Sequence, residues 1–422
     1  MIFMSKSKYI FLKIIKLISI LVIFLYKIFI YFCAFLIVII IRIIRPLILI
    51  RIGNLWSFRI GHFAANTELY MCEKDANINA PHKFIFDFFY FEEPISNHQL
   101  MLMFKRILNI LPSWFLIRIQ LINKIIPGGA IHDVGYNSNI DRDIHNLLDK
   151  YPSHLNFTFD EEIKGQEELL KIGLPKNAKF VCLLVRDSAY LATYQSEIDW
   201  SAHDYRDSNI ENYILAIEEL INRGYFVFRM GAKVNQPLNF TNPKFIDYAY
   251  NGMRTDFLDI YLGAKCEFCI STGAGWDAVP TWLFRKPVLF TNIGPLGYLP
   301  TYSAKFYLMI KGHFSIEKNR FLTYSEIFDS GLGYILDSSD YKMKNVKLIE
   351  NTPEEILEAV IEIEERLSGT WKDSHEDEKL QNHFWNIFQG NLSTISSKAP
   401  LHGKIKSHFS TTFLRKYKVW LQ

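Results

Sequence analysis

The chain has 422 residues, 49% hydrophobic, 15% aromatic and 22% charged, enough to bury the cores of two or three domains at roughly 150 residues each. Its 47 Lys/Arg against 44 Asp/Glu leave a formal charge of +3, which argues against a dedicated nucleic-acid binder. Five scattered cysteines, an odd number, exclude a disulfide-stapled secreted module and suit a reducing compartment. Cys266 and Cys269 form a lone CxxC inside the strand-like run KCEFCIST. Without a second pair or histidines it reads as two small buried apolar residues rather than as a zinc or redox site.

The charge is unevenly spread. Residues 1–67 carry nine Lys/Arg and no acid, residues 398–422 carry six and no acid, and the stretch between holds 32 basic against 44 acidic residues, a net of −12. Basic ends on an acidic body are expected to hold the protein against an anionic surface, with the aromatic, basic close FLRKYKVWL taking part.

From Leu17 to Ile41 the sequence is apolar apart from Lys27 and Ser19, long enough to cross a bilayer and too long for a cleavable signal. On one helix, Lys6, Lys13, Lys16, Lys27, Arg42 and Arg45 share a narrow stripe and only Lys8 falls outside it. A spanning helix would put Lys27 near mid-bilayer at a cost of about 3 kcal/mol. A helix or hairpin lying in the interface satisfies both faces, so that is the expectation, with a spanning helix as the alternative. Pro46 ends the pattern.

After it, LILIRIG (47–53) reads as a strand, the loop with Gly61 and His62 leads to a helix over about 64–72, KFIFDFFYF (83–91) is a strand and 97–111 an amphipathic helix. A helix over 160–174 closes at Gly173, and LPKNA is the expected joint. Beyond it the alternation is plain: strands at 179–187, 225–231, 244–250, 266–272 and 287–292, and helices at 209–224, 257–264, 274–284 and 352–367. Such alternation predicts an α/β fold with a parallel sheet covered on both faces. The organisation expected is a membrane-associating segment over 1–46, Rossmann-like domains over 47–174 and 175–370, and C-terminal helices with a basic aromatic tail over 371–422.

Ligands of such sheets bind outside the carboxyl ends of the strands. Those positions hold Arg186-Asp187-Ser188, Arg229-Met230-Gly231, Ser271-Thr272-Gly273-Ala274-Gly275 and Thr291-Asn292. The STGAG turn is expected to open a helix and offer backbone N–H groups to an anion, and Arg186 and Arg229 to grip a diphosphate. The polar run DWSAHDYRDSN adds His203 and Arg206. In the first half, His62 is the candidate general base, facing the crevice from the opposite domain, with Glu68 as its rival and Asn66 as a polar contact.

RIGHFAANTELY, LLVRDSAYL, HDYRDSNIENY, GYFVFRMG and STGAGWDAVP, in this order, resemble a family of glycosyltransferases found with bacterial surface-carbohydrate synthesis. The resemblance runs from about residue 47 to the end of the chain. It implies two Rossmann-like domains of the GT-B type. The C-terminal half would hold a nucleotide-sugar donor through Arg186, Tyr190, His203, Arg206, Arg229, Gly231, Ser271, Thr272, Gly273 and Gly275. The N-terminal half would hold the acceptor. No cofactor and no metal are expected, in keeping with the lack of a DxD motif after a strand. The expected function is transfer of a sugar to a lipid-linked or surface-polysaccharide acceptor at the cytoplasmic face of the bacterial inner membrane. Its partners are that donor, that acceptor and the anionic membrane, with no nucleic acid. The single base candidate suggests inversion. Transfer of a pyruvyl or other anionic group, and a non-catalytic scaffold of envelope-glycan synthesis, are the alternatives. Replacing Lys13, Lys16 and Lys27 with Glu is expected to release an interfacial helix from anionic vesicles in a flotation assay and to leave a spanning one embedded.

Overall fold

A computed structural model describes residues 6–81, 84–135, 142–194, 197–391 and 401–422. The side chains of Lys6 and Lys8 and the whole of Lys398 lie outside the described residues. The chain divides into two compact units, the first made of residues 1–58, 79–95 and 105–136 and the second of 59–78, 96–104 and 137–422. Charge follows this division. The first unit has 13 Lys/Arg against 4 Asp/Glu, a net of +9, and the second has 34 against 40, a net of −6.

In the first unit a single helix, α1 (Lys6–Ile43), leads to strand β1 (Leu49–Leu55). Strands β1, β2 (Ile85–Phe91) and β3 (Asn109–Ile110) form a parallel sheet in that order. Arg51 and Asp87 face each other across the β1/β2 register and close a buried bidentate pair at 2.7 Å, which offsets the cost of burying either charge alone. A helix that the sequence reading did not anticipate, α4 (Ser113–Ile125), packs on α1; the earlier helix, α3 (His98–Lys105), is shorter than expected because Asn109–Ile110 joins the sheet. Ala34, Val38 and Ile41 of α1, at helical spacing, share a core with Ile52, Tyr90, Leu116 and Ile119.

The α1/α4 contact ends in a clamp. Arg42 donates to Asn123 Oδ1 at 2.8 Å and to the main-chain oxygens of Asn123, Ile126 and Pro127 at 3.0, 2.9 and 2.7 Å. These are carbonyls that a helix C-terminus leaves without intrahelical donors. Arg42 therefore serves the protein and not lipid headgroups, and Arg45 lies beyond the helix end. The expected basic stripe is split for this reason: one of its members is worth more as a C-cap.

The second unit carries a seven-stranded, wholly parallel sheet. Its strands are β4 (Phe180–Leu184), β5 (Phe226–Arg229), β6 (Phe245–Ile246), β7 (Cys269–Ser271), β8 (Val288–Ile293), β9 (Phe306–Ile310) and β13 (His408–Phe409), arranged β13-β9-β8-β7-β4-β5-β6. Strands β4, β7, β8 and β9 are buried along their whole length, as the inner strands of a parallel sheet covered on both faces must be. From β4 the chain winds outward through β5 and β6, and from β7 in the opposite direction, so β4 and β7 flank the switch point of a doubly wound sheet. An antiparallel addition, β10 (Gly312–Ser315) with β11 (Arg320–Phe321) and β12 (Val346–Ile349), was not anticipated. The α/β class expected from the alternation is the one observed, in both units, together with an apolar N-terminal helix.

The basic C-terminus corrects an expectation. Arg415 is bidentate to Asp377 at 2.6 Å, Lys416 pairs with Glu355 at 2.8 Å, Lys406 with Asp149 at 2.8 Å and Lys418 with Glu376. Phe413, Trp420 and Leu421 are buried. Among the described residues the tail folds back onto acids of its own unit, which pair with Lys406, Arg415, Lys416 and Lys418. For the clamp, Arg42→Leu is expected to lower stability by about 1–3 kcal/mol because it strands buried acceptors, and Arg42→Lys to recover part of it; urea unfolding of the detergent-solubilised protein measures both.

Candidate anion site at the switch point of the second unit

The site begins with two strand ends. After β4, the Arg186 N–H donates to Thr272 Oγ1 at 2.9 Å, and Thr272 N–H donates to Leu184 O, so the loops following β4 and β7 are stitched together. After β7, Ser271 Oγ donates to Asp277 Oδ2 at 2.8 Å, Ala274 N–H donates to the same oxygen at 3.0 Å and Gly273 N–H donates to Ser271 Oγ at 3.0 Å. Gly273 has φ +77°, and a Cβ there would meet Ile293 at 2.9 Å, so only glycine makes this turn. Burial pushes the Asp277 carboxyl up to about 6, against the pull of these donors and of the Arg206 charge.

This hydrogen bonding changes the expected role of the STGAG turn. The N–H groups of Gly273 and Ala274 are used within the turn, which leads into one 3-10 turn (Gly275–Asp277) and a π-helical turn (Val279–Leu283) containing Pro280. No long helix starts here to supply a dipole. What the turn offers is a carbonyl: Arg206 Nη2 donates to Gly273 O at 2.5 Å.

The positive charge comes from side chains. Arg186 Nη1 donates to His203 O at 3.2 Å and pairs with Asp207. Burial and then the neighbouring Arg206 charge hold the Arg186 guanidinium below its ordinary value, which marks two like charges close together in a shielded place. Lys311, directly after β9 and buried, donates to Asp207 O, and burial lowers its pKa. His203 stacks on Trp200 at 5.7 Å, and burial, then the charges of Arg206, Arg186 and Arg59, hold it below the usual imidazole range. Asp207 is pushed up, chiefly by burial. At this strand edge Arg186 thus pairs with the Asp207 carboxylate and Lys311 with its main-chain oxygen, while Arg206 reaches the Gly273 carbonyl and the Arg59 charge is felt at His203. His203 Nδ1 and Ser208 Oγ are buried there with no hydrogen-bond partner.

Helix α2 (Ile60–Asp75) brings the third wall. It belongs to the second unit, although sequence order puts it in the first half. A Cβ on Gly61 would lie 3.0 Å from Gly275 Cα and 3.1 Å from Gly275 O, so two glycines let the helix start abut the β7 turn, main chain against main chain. His62 follows Gly61 and is therefore beside the STGAG turn, half-buried, in the first turn of the helix rather than in a loop. One turn on, Asn66 is 7% exposed with both amide atoms lacking a partner.

Other expected residues lie elsewhere in the chemistry. Arg229 is 2% exposed and donates to Asp247 Oδ2 at 3.1 Å and Gln236 O at 2.9 Å. It organises the loop after β5, where Gly231 also sits, and is not presented to a diphosphate. Tyr190 lies on the surface of the short helix Ala189–Tyr194 with its ring 4.8 Å from Tyr194. Thr291 and Asn292 are held by Tyr213 and Asn351 inside β8. Arg59 and Lys311 were not singled out as site residues from the sequence; Arg59 is the first residue of RIGH, and Lys311 follows a strand end, the signal already used for Arg186.

Glu68 cannot act as a base at this edge. It is 0% exposed and accepts from Arg285 Nη2 at 2.7 Å, with His154 Nδ1 at 3.0 Å. His154 Nε2 bonds Asp75 at 3.0 Å, and Arg285 also reaches Cys72 Sγ at 3.5 Å. Glu68, Cys72 and His154 have metal-ligand chemistry, but a guanidinium already supplies the cation among them. Cys266 and Cys269 are buried free thiols, as the apolar reading of CxxC expects.

No protein-family model and no curated protein matches the sequence. Among solved structures it is similar to E. coli ADP-heptose lps heptosyltransferase II (12% identity, 61% of this chain and 90% of that one, TM-score 0.39). It is also similar to a glycosyl transferase family 9 protein from Veillonella parvula (11%, 76% and 97%, TM-score 0.41), and to an E. coli heptosyltransferase solved with ADP-2-deoxy-2-fluoro heptose (13%, 62% and 93%, TM-score 0.31). Likeness at this level says nothing about chemistry, which the residues themselves must carry.

The His154 knot gives a pH dependence. Hydrogen bonds to Cys72, then to Glu68, and further to Asp75 raise the imidazole from 6.5 to about 10. Because the folded value exceeds the unfolded one, this contribution to stability is fully present below about pH 6.5 and lost as pH rises through about 10. Urea midpoints measured from pH 6 to 10 are expected to fall in the native protein and to fall less in His154→Gln.

Proposed function

We propose that the second unit binds the diphosphate of a nucleotide-sugar donor at the β4/β7 switch point and transfers the sugar to a lipid-linked or surface-polysaccharide acceptor at the inner face of a bacterial membrane. The observation that carries this reading is the set of cations at the carboxyl edge of a doubly wound sheet, with Arg186 on the Asp207 carboxylate, Lys311 on the Asp207 main-chain oxygen, Arg206 on the Gly273 carbonyl and Arg59 near His203. A leaving nucleoside diphosphate develops negative charge as the glycosidic bond breaks, and fixed guanidinium groups in a partly dehydrated edge stabilise that charge more than they stabilise the bound donor. Arg186 and Arg206 are assigned to the phosphates, with Arg59 and Lys311 deepening the field. The unpartnered His203 Nδ1 and Ser208 Oγ are groups that a bound donor would satisfy.

His62 is the base assigned to the acceptor hydroxyl, since Glu68 is consumed by Arg285 and His154. His62 as the single base candidate corresponds to a single displacement with inversion. Asn66, with its two unpartnered amide atoms one helical turn from His62, is assigned to the acceptor. Membrane association follows from α1, whose window from Phe11 has the length and composition of a span. Domain bounds of 47–174 and 175–370 are kept as the proposed functional halves, with α2 serving the second.

The test is a donor screen. Nucleoside diphosphate sugars are expected to raise the melting temperature where phosphoenolpyruvate does not; stabilisation by phosphoenolpyruvate alone would replace sugar transfer by pyruvyl transfer. With the stabilising donor, Arg206→Ala and Arg186→Ala are each expected to lower kcat/KM about a hundredfold, about 3 kcal/mol of transition-state stabilisation. Near-native turnover in both removes the assignment.

A further inference from the structure

The second half of α1 and helix α4 are packed together, yet both leave apolar residues uncovered. From Phe11 to Phe29 the exposed apolar side chains of α1 point in every direction around the helix, and the first buried position is Ile30. That free segment is about 28 Å long at 1.5 Å per residue, close to the thickness of a bilayer's hydrocarbon core. Lys13 and Lys16 sit at one end of it and Lys27 at the other, so their stems can reach opposite headgroup layers. On α4, Leu116 and Ile119 face the core, while Trp114, Ile117, Leu121 and Ile125 form an exposed stripe at spacings of three, four and four; Trp114 is 53% exposed and Ile125 81%.

Two contacts fix the sense of the pair. The Arg118 guanidinium lies 5.7 Å from the Tyr31 ring, and Arg42 reaches Asn123, Ile126 and Pro127. Later residues of α1 meet later residues of α4, so the helices run alongside in the same direction and Trp114 is at the end of α4 nearest the free segment. Charge agrees: residues 105–133 hold Lys105, Arg106, Arg118 and Lys124 against one acid, Asp133, which pairs with Lys124 at 3.5 Å, within a unit of net +9.

We infer that α4 is a second membrane contact, lying in the anionic headgroup layer beside the point where α1 leaves the bilayer, with Trp114 and Ile117 immersed and Ile125 near the water. The occupant of the stripe is therefore lipid. Indole at the headgroup boundary with cations beside it is the side-chain set that interface favours. This inference rests on the membrane association proposed above and is independent of the transferase reaction.

The test uses the full chain with Cys33→Ser, leaving four buried cysteines, reconstituted in phosphatidylcholine containing phosphatidylglycerol. Bimane is attached at Trp114→Cys, Ile117→Cys or Ile125→Cys and exposed to lipids brominated on the acyl chain. Quenching is expected to be about threefold stronger at 114 and 117 than at 125, since 11 residues of helix separate depths by up to about 16 Å. Equal, solvent-like quenching at all three positions with the protein still floating with vesicles overturns the seat and leaves the anchoring by α1 standing; failure to float overturns the association itself. Pyrene at 114 giving excimer emission that grows with protein concentration, without quenching by brominated lipid, would assign the stripe to a second copy of the chain and also overturn the inference.

Discussion

The main-chain contact between Gly61 and Gly275 is the constraint on which the candidate site depends. A side chain on Gly61 would press within 3.0 Å of Gly275 Cα and make the start of α2 give way, and one on Gly275 would fill the remaining space against Gly61. With both absent, the Arg59-Ile60-Gly61-His62 segment closes on the edge where Arg186 and Arg206 converge, and a base candidate and four cations share one neighbourhood. Asp277 supports the other side of the same contact. Its buried carboxylate accepts the Ser271 hydroxyl and the Ala274 N–H, giving the turn a shape that Gly273 alone could not hold.

At this edge burial and like charge act together on the arginines. Arg186 and Arg206 raise each other's cost of burial, and Asp207 offsets only part of it. Like charges held at such cost in a shielded place are the ground for proposing a site here. The nearby Glu68, His154 and Arg285 group shows the contrasting case, in which carboxylate, imidazolium and guanidinium neutralise each other and tie α2 to Arg285, past the π-helical turn. That group holds the framework.

The strands of the second sheet were legible because fully buried parallel strands are unbroken apolar runs between glycine and polar stops, and the helix over 352–367 because Thr352, Pro353 and Glu355 form a capping box. The residues after β4 and β7 were legible for the same topological reason. Arg229 was misjudged because a strand-end arginine looks identical in sequence whether it meets a ligand or an aspartate 18 residues later, and Asp247 carried no mark of its role. Arg206 proved to reach the turn where Arg229 does not, through a 3-10 segment that periodicity cannot reveal. Helix α4 escaped notice because its apolar residues occupy both faces, which blurs the amphipathic period. The basic tail was read as free charge since its partners, Glu355, Glu376 and Asp377, lie far off along the chain.

The clamp of Arg42 onto the end of α4 has a mechanical corollary. Helix α1 runs unbroken from Lys6 to Ile43, with no proline or glycine to act as a hinge. With its tip immersed as proposed, a stiff rod fixed at its base must respond to a thicker or thinner bilayer by leaning, because stretching or compressing it costs far more. Lipid composition would then set the inclination of the three-stranded sheet to which the rod is bolted, and a change in acyl-chain length would be felt there through geometry alone.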